Sequence, residues 1–241
     1  MEILKFTLKG KNAFFKMPEV NTYYYFTYGN IHKVALLGIF GAILGYNGYA
    51  QMTEEDQYPE FYERLKDISI SIVPQKGSKG YIPKKVQSFN NSVGYASQEQ
   101  GGNLIVKQQW LENPCWEVYV KIDSSEAEAI KKAIMNHTCV YVPYLGSNDH
   151  PADICDAEVL TGEFINDEEI AYIDSLFPAA KVELDYEDDD VTPYKYSEYL
   201  PIALDEHSLM YCMEKFYVTN IPVLCHECDV CRVGGKNIVF Y

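Results

Sequence analysis

The densest set of chemically active residues lies near the end of the chain, in the segment CHECDVC. Cys225, Cys228 and Cys231 follow one another at two-residue gaps, and His226 lies beside the first of them. Thiolates and imidazoles at this spacing can ligate zinc or an iron–sulfur cluster. A structural zinc site needs four ligands, and the sequence contains no second Cys-x-x-Cys pair. We therefore expect reduced thiols and no metal, and a metal-bearing interaction module stays open as an alternative.

A lysine-rich segment, residues 74–103, is the second chemical feature. It has no acidic residue before Glu99, and its aromatic residues are interleaved with polar ones. Ammonium groups beside exposed rings are typical of surfaces that bind single-stranded nucleic acid. We predict that four lysines of this segment contact phosphates: Lys76, Lys79, Lys84 and Lys85.

Aromatic residues also lead into the most apolar stretch of the sequence. Five of them lie within residues 23–28, and His32 and Lys33 follow in the first turn of a predicted helix. The free amides and the dipole at a helix start favour an anion. We therefore predict that Tyr28, His32 and Lys33 also bind RNA.

The same three residues allow a catalytic alternative. Metal-free RNA cleavage needs a base, an acid and a cation, which His32, Tyr28 and Lys33 could supply. None of the five histidines lies in a recognisable triad or in a His-Glu-x-x-His motif. We predict no catalytic residue, with a metal-independent endoribonuclease as the runner-up.

The chain closes with RVGGKNIVFY, where a glycine pair frees the backbone before a last strand. Such a pair lets a phosphate or a neighbouring strand approach closely, and a simple β-turn explains it equally well. Gly234, Gly235 and Lys236 are included among the predicted RNA-binding residues. No cofactor is predicted.

Charge limits where a polyanion could bind. The 241 residues have a net charge of −15, which is unevenly distributed. Residues 1–110 contain 12 Lys and Arg against 9 Asp and Glu (net +3), whereas residues 111–241 contain 8 against 26 (net −18). Because the second part repels nucleic acid, an RNA site should lie near the N-terminal segments. The acidic part suggests a basic protein neighbour.

Composition and hydropathy indicate a globular protein of the cytoplasm. Hydrophobic residues make up 47% of the chain, and its seven cysteines are scattered, as in a reducing compartment. The unbroken apolar run, residues 34–45, has twelve residues, whereas a membrane-spanning helix needs roughly 20. The start of the chain has no apolar signal-peptide core. We predict no membrane partner.

Apolar periodicity predicts the elements that position these residues. Alternation predicts strands at DISISIV, CWEVYVKI and ICDAEVL and a first strand with a basic outer face from Lys5 to Lys9. One helix is expected after an Asn30 N-cap, and a second is opened by a capping box at Ser125 and Glu128. The order β-α-β-β-α-β is the ferredoxin-like pattern, with residues 74–103 inserted as a projecting hairpin that has a basic face.

Two further expectations concern packing and the end of the chain. Gly38, Gly41 and Gly45 would form one smooth stripe on the first helix, where a sheet could press close. Past residue 160 the pattern weakens to a short acidic helix at 167–176, a solvated acidic loop at 188–190 and strands at 201–218.

Three segments together resemble the CRISPR-associated Cas-five family, particularly its type I-B members. They are HKVALLGIFGAILGY, WLENPCWEVYVKI and YVPYLGSNDHPADI. In that family a Tyr-Leu-Gly turn near an acidic or amide residue follows the second helix, and Tyr144, Leu145 and Gly146 with Asn148 and Asp149 match it here. The likeness covers roughly residues 1–165.

The resemblance implies an α+β fold with a ferredoxin-like, RRM-related body, a β-hairpin thumb and a smaller C-terminal β-rich region. It places the body at residues 1–165 and the C-terminal region at 166–241. It implies a RAMP-superfamily subunit of a crRNA-guided surveillance complex (Cascade) in antiviral defence. Such a subunit caps the 5′ handle of crRNA, contacts the backbone and large subunits, and meets target DNA only through the complex.

Relatives from type I-C systems cut precursor crRNA with a tyrosine, a lysine and a histidine. The corresponding stretch here, NLIVKQQWLENP, has Lys107 followed by Gln108 and no Lys-His pair. This departure favours a non-catalytic subunit.

Overall fold

The computed structural model describes residues 1–19, 24–75, 77–165, 170–186 and 192–241. Lys76, the acidic run at 188–190 and part of the expected acidic helix lie outside these ranges. Residues 170–176, the part of that helix that is described, are not helical. Within these ranges, several antiparallel sheets and three α-helices make this an α+β protein, as predicted.

The described elements follow one another with strands in the majority. The strands are β1 (Glu2–Lys9), β2 (Asn12–Ala13), β3 (Ile70–Pro74), β4 (Lys84–Asn90), β5 (Ile105–Glu112), β6 (Cys115–Lys121), β7 (Asp153–Thr161), β8 (Glu163–Phe164), β9 (Phe177–Pro178), β10 (Val182–Leu184), β11 (Lys195–Leu204), β12 (Tyr211–Thr219), β13 (Val223–His226), β14 (Val230–Val233) and β15 (Lys236–Val239). The α-helices are α1 (Lys33–Leu44), α2 (Glu60–Leu65) and α3 (Ser125–Met135).

The main sheet has four antiparallel strands in the order β3-β6-β1-β7. Alternation along β1 buries Leu4, Phe6 and Leu8 against the helices. The expected basic outer face is neutralised, because Lys5 pairs with Glu158 (2.7 Å) and Lys9 with an aspartate of β7.

Helix α1 is the core helix that its apolar run predicts, but its N-cap is His32 and not Asn30. The His32 Nδ1 atom accepts a hydrogen bond from the Ala35 N–H (3.2 Å). The N-cap of helix α3 also differs from the expected residue. It is Ser124, whose hydroxyl oxygen accepts a hydrogen bond from the Ala127 N–H (3.2 Å), and Ser125 is already helical.

The glycine stripe of α1 packs against a helix rather than a sheet. A Cβ on Gly41 would lie 2.5 Å from the Phe61 Cβ of α2, and a Cβ on Gly45 would meet Val140. Gly45 also ends the helix with a left-handed φ of 81°. The expected sheet contact is therefore corrected to a contact with α2 and with the segment after α3.

The inserted hairpin exists, with corrected bounds. Strands β4 and β5 pair from Lys84 opposite Leu111 to Asn90 opposite Ile105, so the second strand lies beyond the expected limit at residue 103. Because side chains alternate along β4, Lys84 and Lys85 project from opposite faces. The hairpin therefore lacks the single basic face that the lysine count suggested.

The part of the chain after residue 165 packs around the body and adds to its core. Leu200, Phe216 and Val218 of β11 and β12 belong to the same buried cluster as Leu36 and Phe40 of α1. On the other face of the main sheet, β14 and β15 pack over β1, β3 and β6. The strands expected at 201–218 are present in β11 and β12. Residues after 165 also form a buried cluster of their own, which includes Ile170, Phe177 and Val239, so this region both shares the core of the body and has a second cluster.

Among the described residues, no helix is both long enough and apolar enough to cross a membrane.

Candidate nucleic-acid interface

Two residues of the predicted RNA site are buried in the core. Tyr28 is fully buried and His32 is 3% exposed. The His32 ring packs edge-on against Tyr28 (5.2 Å between centroids) and Tyr211 (5.3 Å). Burial lowers the pKa of His32 to about 3 and raises the pKa of Tyr28. Both side chains fill the core, and His32 also caps α1.

A backbone amide in the loop before α1 binds an anion of the protein itself. The Gly29 N–H donates to Glu198 Oε1 (2.7 Å), and the Tyr196 hydroxyl donates to Glu198 Oε2 (2.8 Å). Burial raises the pKa of Glu198, and the hydrogen bonds from Gly29 and Tyr196 oppose that rise. The Gly29 amide thus binds an internal carboxylate, ahead of the helix start at Lys33 where the sequence predicts an anion.

Most of the predicted lysines also have structural partners. The Lys84 ammonium donates to Thr27 O (3.1 Å), Lys85 pairs with Glu112 (3.5 Å), and Lys236 pairs with Glu117. Burial lowers the pKa of Lys33, and it lowers that of Lys84. Lys79 is different: its ammonium lies over the Tyr194 ring at 5.5 Å.

Gly234 and Gly235 form the two-residue turn between β14 and β15. Both have positive φ (57° and 78°), and Val233 pairs with Lys236 across the turn. Positive φ at both central positions is the requirement of a tight hairpin turn, which glycine meets at little cost. The turn explains both glycines.

A surface that the sequence had only hinted at lies along β5. We call it the cation–aromatic surface; it consists of Lys16, Tyr24, Tyr25, Phe26 and Lys107. The Lys16 ammonium is 4.5 Å from the centre of the Tyr25 ring, and Lys107 is 5.3 Å from that of Tyr24. Tyr24 and Phe26 are exposed and lie 6.2 Å apart.

Backbone pairing holds this surface in place. The Tyr25 N–H donates to Lys107 O, and the Gln109 N–H donates to Tyr25 O, both at 2.9 Å. The aromatic lead-in is thereby joined to the hairpin, so two predicted features meet in space. Neither Lys16 nor Lys107 has a carboxylate within 4.0 Å among the residues that the structure covers. Lys16 was missed because it is isolated in sequence; the tyrosine run was its only signal.

A groove of about 780 Å³ adjoins the cation–aromatic surface. Its floor includes Gly38 and Gly41 of α1, and Lys16 is part of its lining. Its lining also contains five tyrosines, which are Tyr46, Tyr49, Tyr141, Tyr144 and Tyr211. At Gly41 the space of the missing side chain is taken by Phe61 of α2, so the groove is bounded by the α1 glycines, several tyrosines and Lys16.

The Tyr-Leu-Gly turn lies at one side of this groove. Leu145 is fully buried, and its backbone pairs with Phe14 N–H (3.0 Å) and His150 O (2.7 Å). Gly146 has a φ of 82°, and a Cβ there would overlap the Phe14 carbonyl. The turn thus fixes the chain beside Phe14 and Tyr144, which both line the groove.

The cysteine segment forms part of β13, β14 and their connection. Cys231 is fully buried against the main sheet, and burial raises its thiol pKa. The described residues contain no group of three or more potential metal ligands. The side chains of Cys225 and His226 lie outside the description, so the metal alternative stays a sequence hypothesis.

The sequence matches no protein-family model and no curated protein sequence. Its fold does match solved structures. One is a chain of a CRISPR RNA-guided surveillance complex, with a TM-score of 0.55 and 13% identity over 92% of this chain and 91% of that one. Another is a CRISPR protein from Archaeoglobus fulgidus, with a TM-score of 0.55 and 9% identity over 99% of both chains.

These likenesses are between whole chains, so they include the hairpin and the C-terminal strands. The molecule is thus an α+β protein whose fold is shared with solved CRISPR proteins. The resemblance found in the sequence is confirmed at the level of the fold.

Proposed function

We propose that this chain is a non-catalytic, Cas-five-type subunit of a type I-B CRISPR surveillance complex. It binds and caps the 5′ handle of crRNA in the cytoplasm, contacts the backbone and large subunits, and meets target DNA through the complex. The main observation behind this proposal is the cation–aromatic surface: two lysines without acidic partners among the described residues lie beside exposed rings on the hairpin strand.

The topology supports a ferredoxin-like body. The strand order β3-β6-β1-β7, with α1 after β1 and α3 after β6, corresponds to the predicted β-α-β-β-α-β arrangement, and the hairpin is inserted between β3 and β6. The whole-chain likeness to a chain of a CRISPR RNA-guided surveillance complex agrees with this reading. The hairpin is the proposed thumb.

RNA recognition follows from the chemistry of the surface and the groove. Lys16 and Lys107 neutralise phosphates, and Tyr24 and Phe26 provide faces on which unpaired bases stack. The groove beside Lys16 accepts a base that is turned out of the strand. Lys79, at the base of the hairpin, extends the cationic path.

Burial supports a non-catalytic role. A general base must come within hydrogen-bond reach of the proton that it removes. Tyr28 and His32, two of the three residues of the endoribonuclease alternative, are inside the core, and His32 is held neutral there. Incubating the purified protein with a repeat-hairpin RNA in EDTA tests this point; specific cleavage would establish the nuclease alternative.

The decisive test of RNA binding uses Lys16→Gln/Lys107→Gln in the assembled complex. We expect the variant to retain less crRNA, with the slope of log affinity against log salt reduced by about 1.4 for two lost phosphate contacts. The matched control is Lys5→Gln/Lys131→Gln, which changes the charge equally but removes lysines paired with Glu158 and Glu2. Equal crRNA retention in both variants would contradict the proposal.

A further inference from the structure

An alternating row of lysines and tyrosines in the acidic half of the chain begins at Tyr186, after β10, and continues across the outer face of β11 and β12. We call it the Lys–Tyr row. Its order is Tyr186, Lys195, Tyr217, Lys215 and Tyr199. The Lys195 ammonium is 5.1 Å from the centre of the Tyr186 ring and 5.0 Å from that of Tyr217. The Lys215 ammonium is 5.4 Å from the centre of the Tyr217 ring and 5.9 Å from that of Tyr199.

Strand geometry keeps the acids of these strands away from the row. Glu198 lies between outward-facing residues of β11. Its own side chain points to the inner side of the strand, where the carboxylate accepts a hydrogen bond from the Gly29 N–H. Glu214 neighbours Lys215 on β12, and it lines a pocket on the opposite side together with Lys33 and Lys66. The outer face therefore displays cations although residues 111–241 have a net charge of −18.

The lysines of the row also differ from three other lysines of this half in their partners. Lys121, Lys131 and Lys236 each pair with a carboxylate. Within the described ranges, neither the Lys195 nor the Lys215 ammonium has a carboxylate within 4.0 Å. The Tyr186 hydroxyl lies 2.6 Å from the Lys195 ammonium and raises its pKa, so this cation is fully charged at neutral pH.

We propose that the Lys–Tyr row is a second binding surface for single-stranded nucleic acid. Tyr186 and Tyr199 are 62% and 59% exposed and offer faces for stacking, while Lys195 and Lys215 are placed to meet phosphates. Stacking on tyrosine tolerates any base, so this surface holds a strand without reading its sequence. The inference rests on the proposed function and extends it. It adds a nucleic-acid contact in residues 111–241, the half of the chain whose net charge alone would exclude such a contact.

The test measures binding of fluorescent 20-nucleotide oligo(U) and oligo(dT) to the purified full-length protein by anisotropy over a salt series. We expect Lys195→Gln/Lys215→Gln to weaken binding about tenfold and to lower the salt slope by about 1.4. Tyr199→Ala should weaken binding at least fivefold through lost stacking, roughly the lower limit for one base. The two oligonucleotides distinguish an RNA surface from a DNA surface: the row binds the oligonucleotide whose affinity falls in Lys195→Gln/Lys215→Gln.

Lys5→Gln/Lys131→Gln is the charge-matched control, and thermal unfolding checks that each variant folds. If binding is lost in Lys16→Gln/Lys107→Gln but unchanged in Lys195→Gln/Lys215→Gln, the row is not a binding surface and the proposed function stands. If the wild-type protein binds neither oligonucleotide, the row is not a binding surface, and crRNA retention in the assembled complex then decides the proposed function alone.

Discussion

At the scale of single residues, burial decides what His32 does. Its imidazole lies among aromatic rings and caps α1 with Nδ1. A buried histidine is neutral, whereas the same residue in the unfolded chain takes up a proton near pH 6.5. Below that pH the unfolded state binds more protons than the folded state, so the free energy of unfolding decreases as the pH falls.

We therefore expect His32→Asn to remove part of the acid sensitivity. Asparagine is a strong N-cap and does not titrate. Between pH 6 and pH 4 the stability of the wild-type protein should fall relative to the variant by about 1.4 kcal/mol per pH unit. Urea unfolding at several pH values measures the free energy of unfolding of both proteins. In the difference between the two, the contributions of carboxylates such as Glu198 cancel. Parallel curves would mean that His32 is protonated in the folded protein.

At the scale of elements, the glycine stripe of α1 shows two different environments on one helix. A Cβ on Gly41 would lie 2.5 Å from the Phe61 Cβ, which is anchored directly to the backbone of α2. At Gly38 the nearest atom within reach is a Phe61 ring carbon at 4.0 Å, an ordinary contact. Of these two glycines, Gly41 is therefore the one that close approach requires.

Alanine substitutions separate these environments. Gly41→Ala should destabilise the protein by about 1–3 kcal/mol, because α2 must move to relieve the overlap. Gly38→Ala should instead stabilise it by up to about 1 kcal/mol through helix propensity. Urea unfolding of both variants measures the two effects. The interpretation fails if the two substitutions change stability in the same direction.

Sequence patterns predicted the long elements better than their partners. The run after residue 33 specified a helix, and the alternation at β1, β3, β6 and β7 specified strands. The partner of α1 could not be predicted because α2 has only six residues, too few to show a helical period. Likewise, Lys84 and Lys85 are adjacent in sequence, so their separation onto two faces follows only once β4 is known to be a strand.

The C-terminal strands and the site were harder to predict for a related reason. Strands β8, β9 and β10 have two or three residues and are stabilised by partners far away in sequence. Lys16 and Lys107 are 91 positions apart, and they share a surface only because Tyr25 pairs with β5. Such long-range pairing leaves no local signal.

At the scale of the whole molecule, the body and the C-terminal region are joined by a buried hydrogen-bond network. Trp116 Nε1 donates to Asn30 Oδ1 (3.0 Å), and Asn30 Nδ2 donates to Gly80 O (2.9 Å) at the hairpin base. The neighbouring Gly29 N–H binds Glu198 of β11. The turn before α1 therefore connects the main sheet, the hairpin base and the C-terminal strands.

This network predicts how the molecule unfolds. A Cβ on Gly29 would overlap the Tyr196 hydroxyl and lie 3.2 Å from Glu198 Oε2. We expect Gly29→Ala to cost about 2–3 kcal/mol, since it forces the two elements apart and disturbs a buried carboxylate. Because one core includes residues from both regions, unfolding should remain a single transition.

Two probes followed through the same urea titration test this prediction. Trp116 is fully buried in the body, so tryptophan fluorescence reports on that part, whereas far-UV circular dichroism also reports on the C-terminal strands. In Gly29→Ala both midpoints should fall together. Gly48→Ala is the control, because the nearest atom to its Cβ is 3.8 Å away, and its midpoint should change little. A circular dichroism transition that separates from the fluorescence transition would show that residues 166–241 unfold as an independent domain.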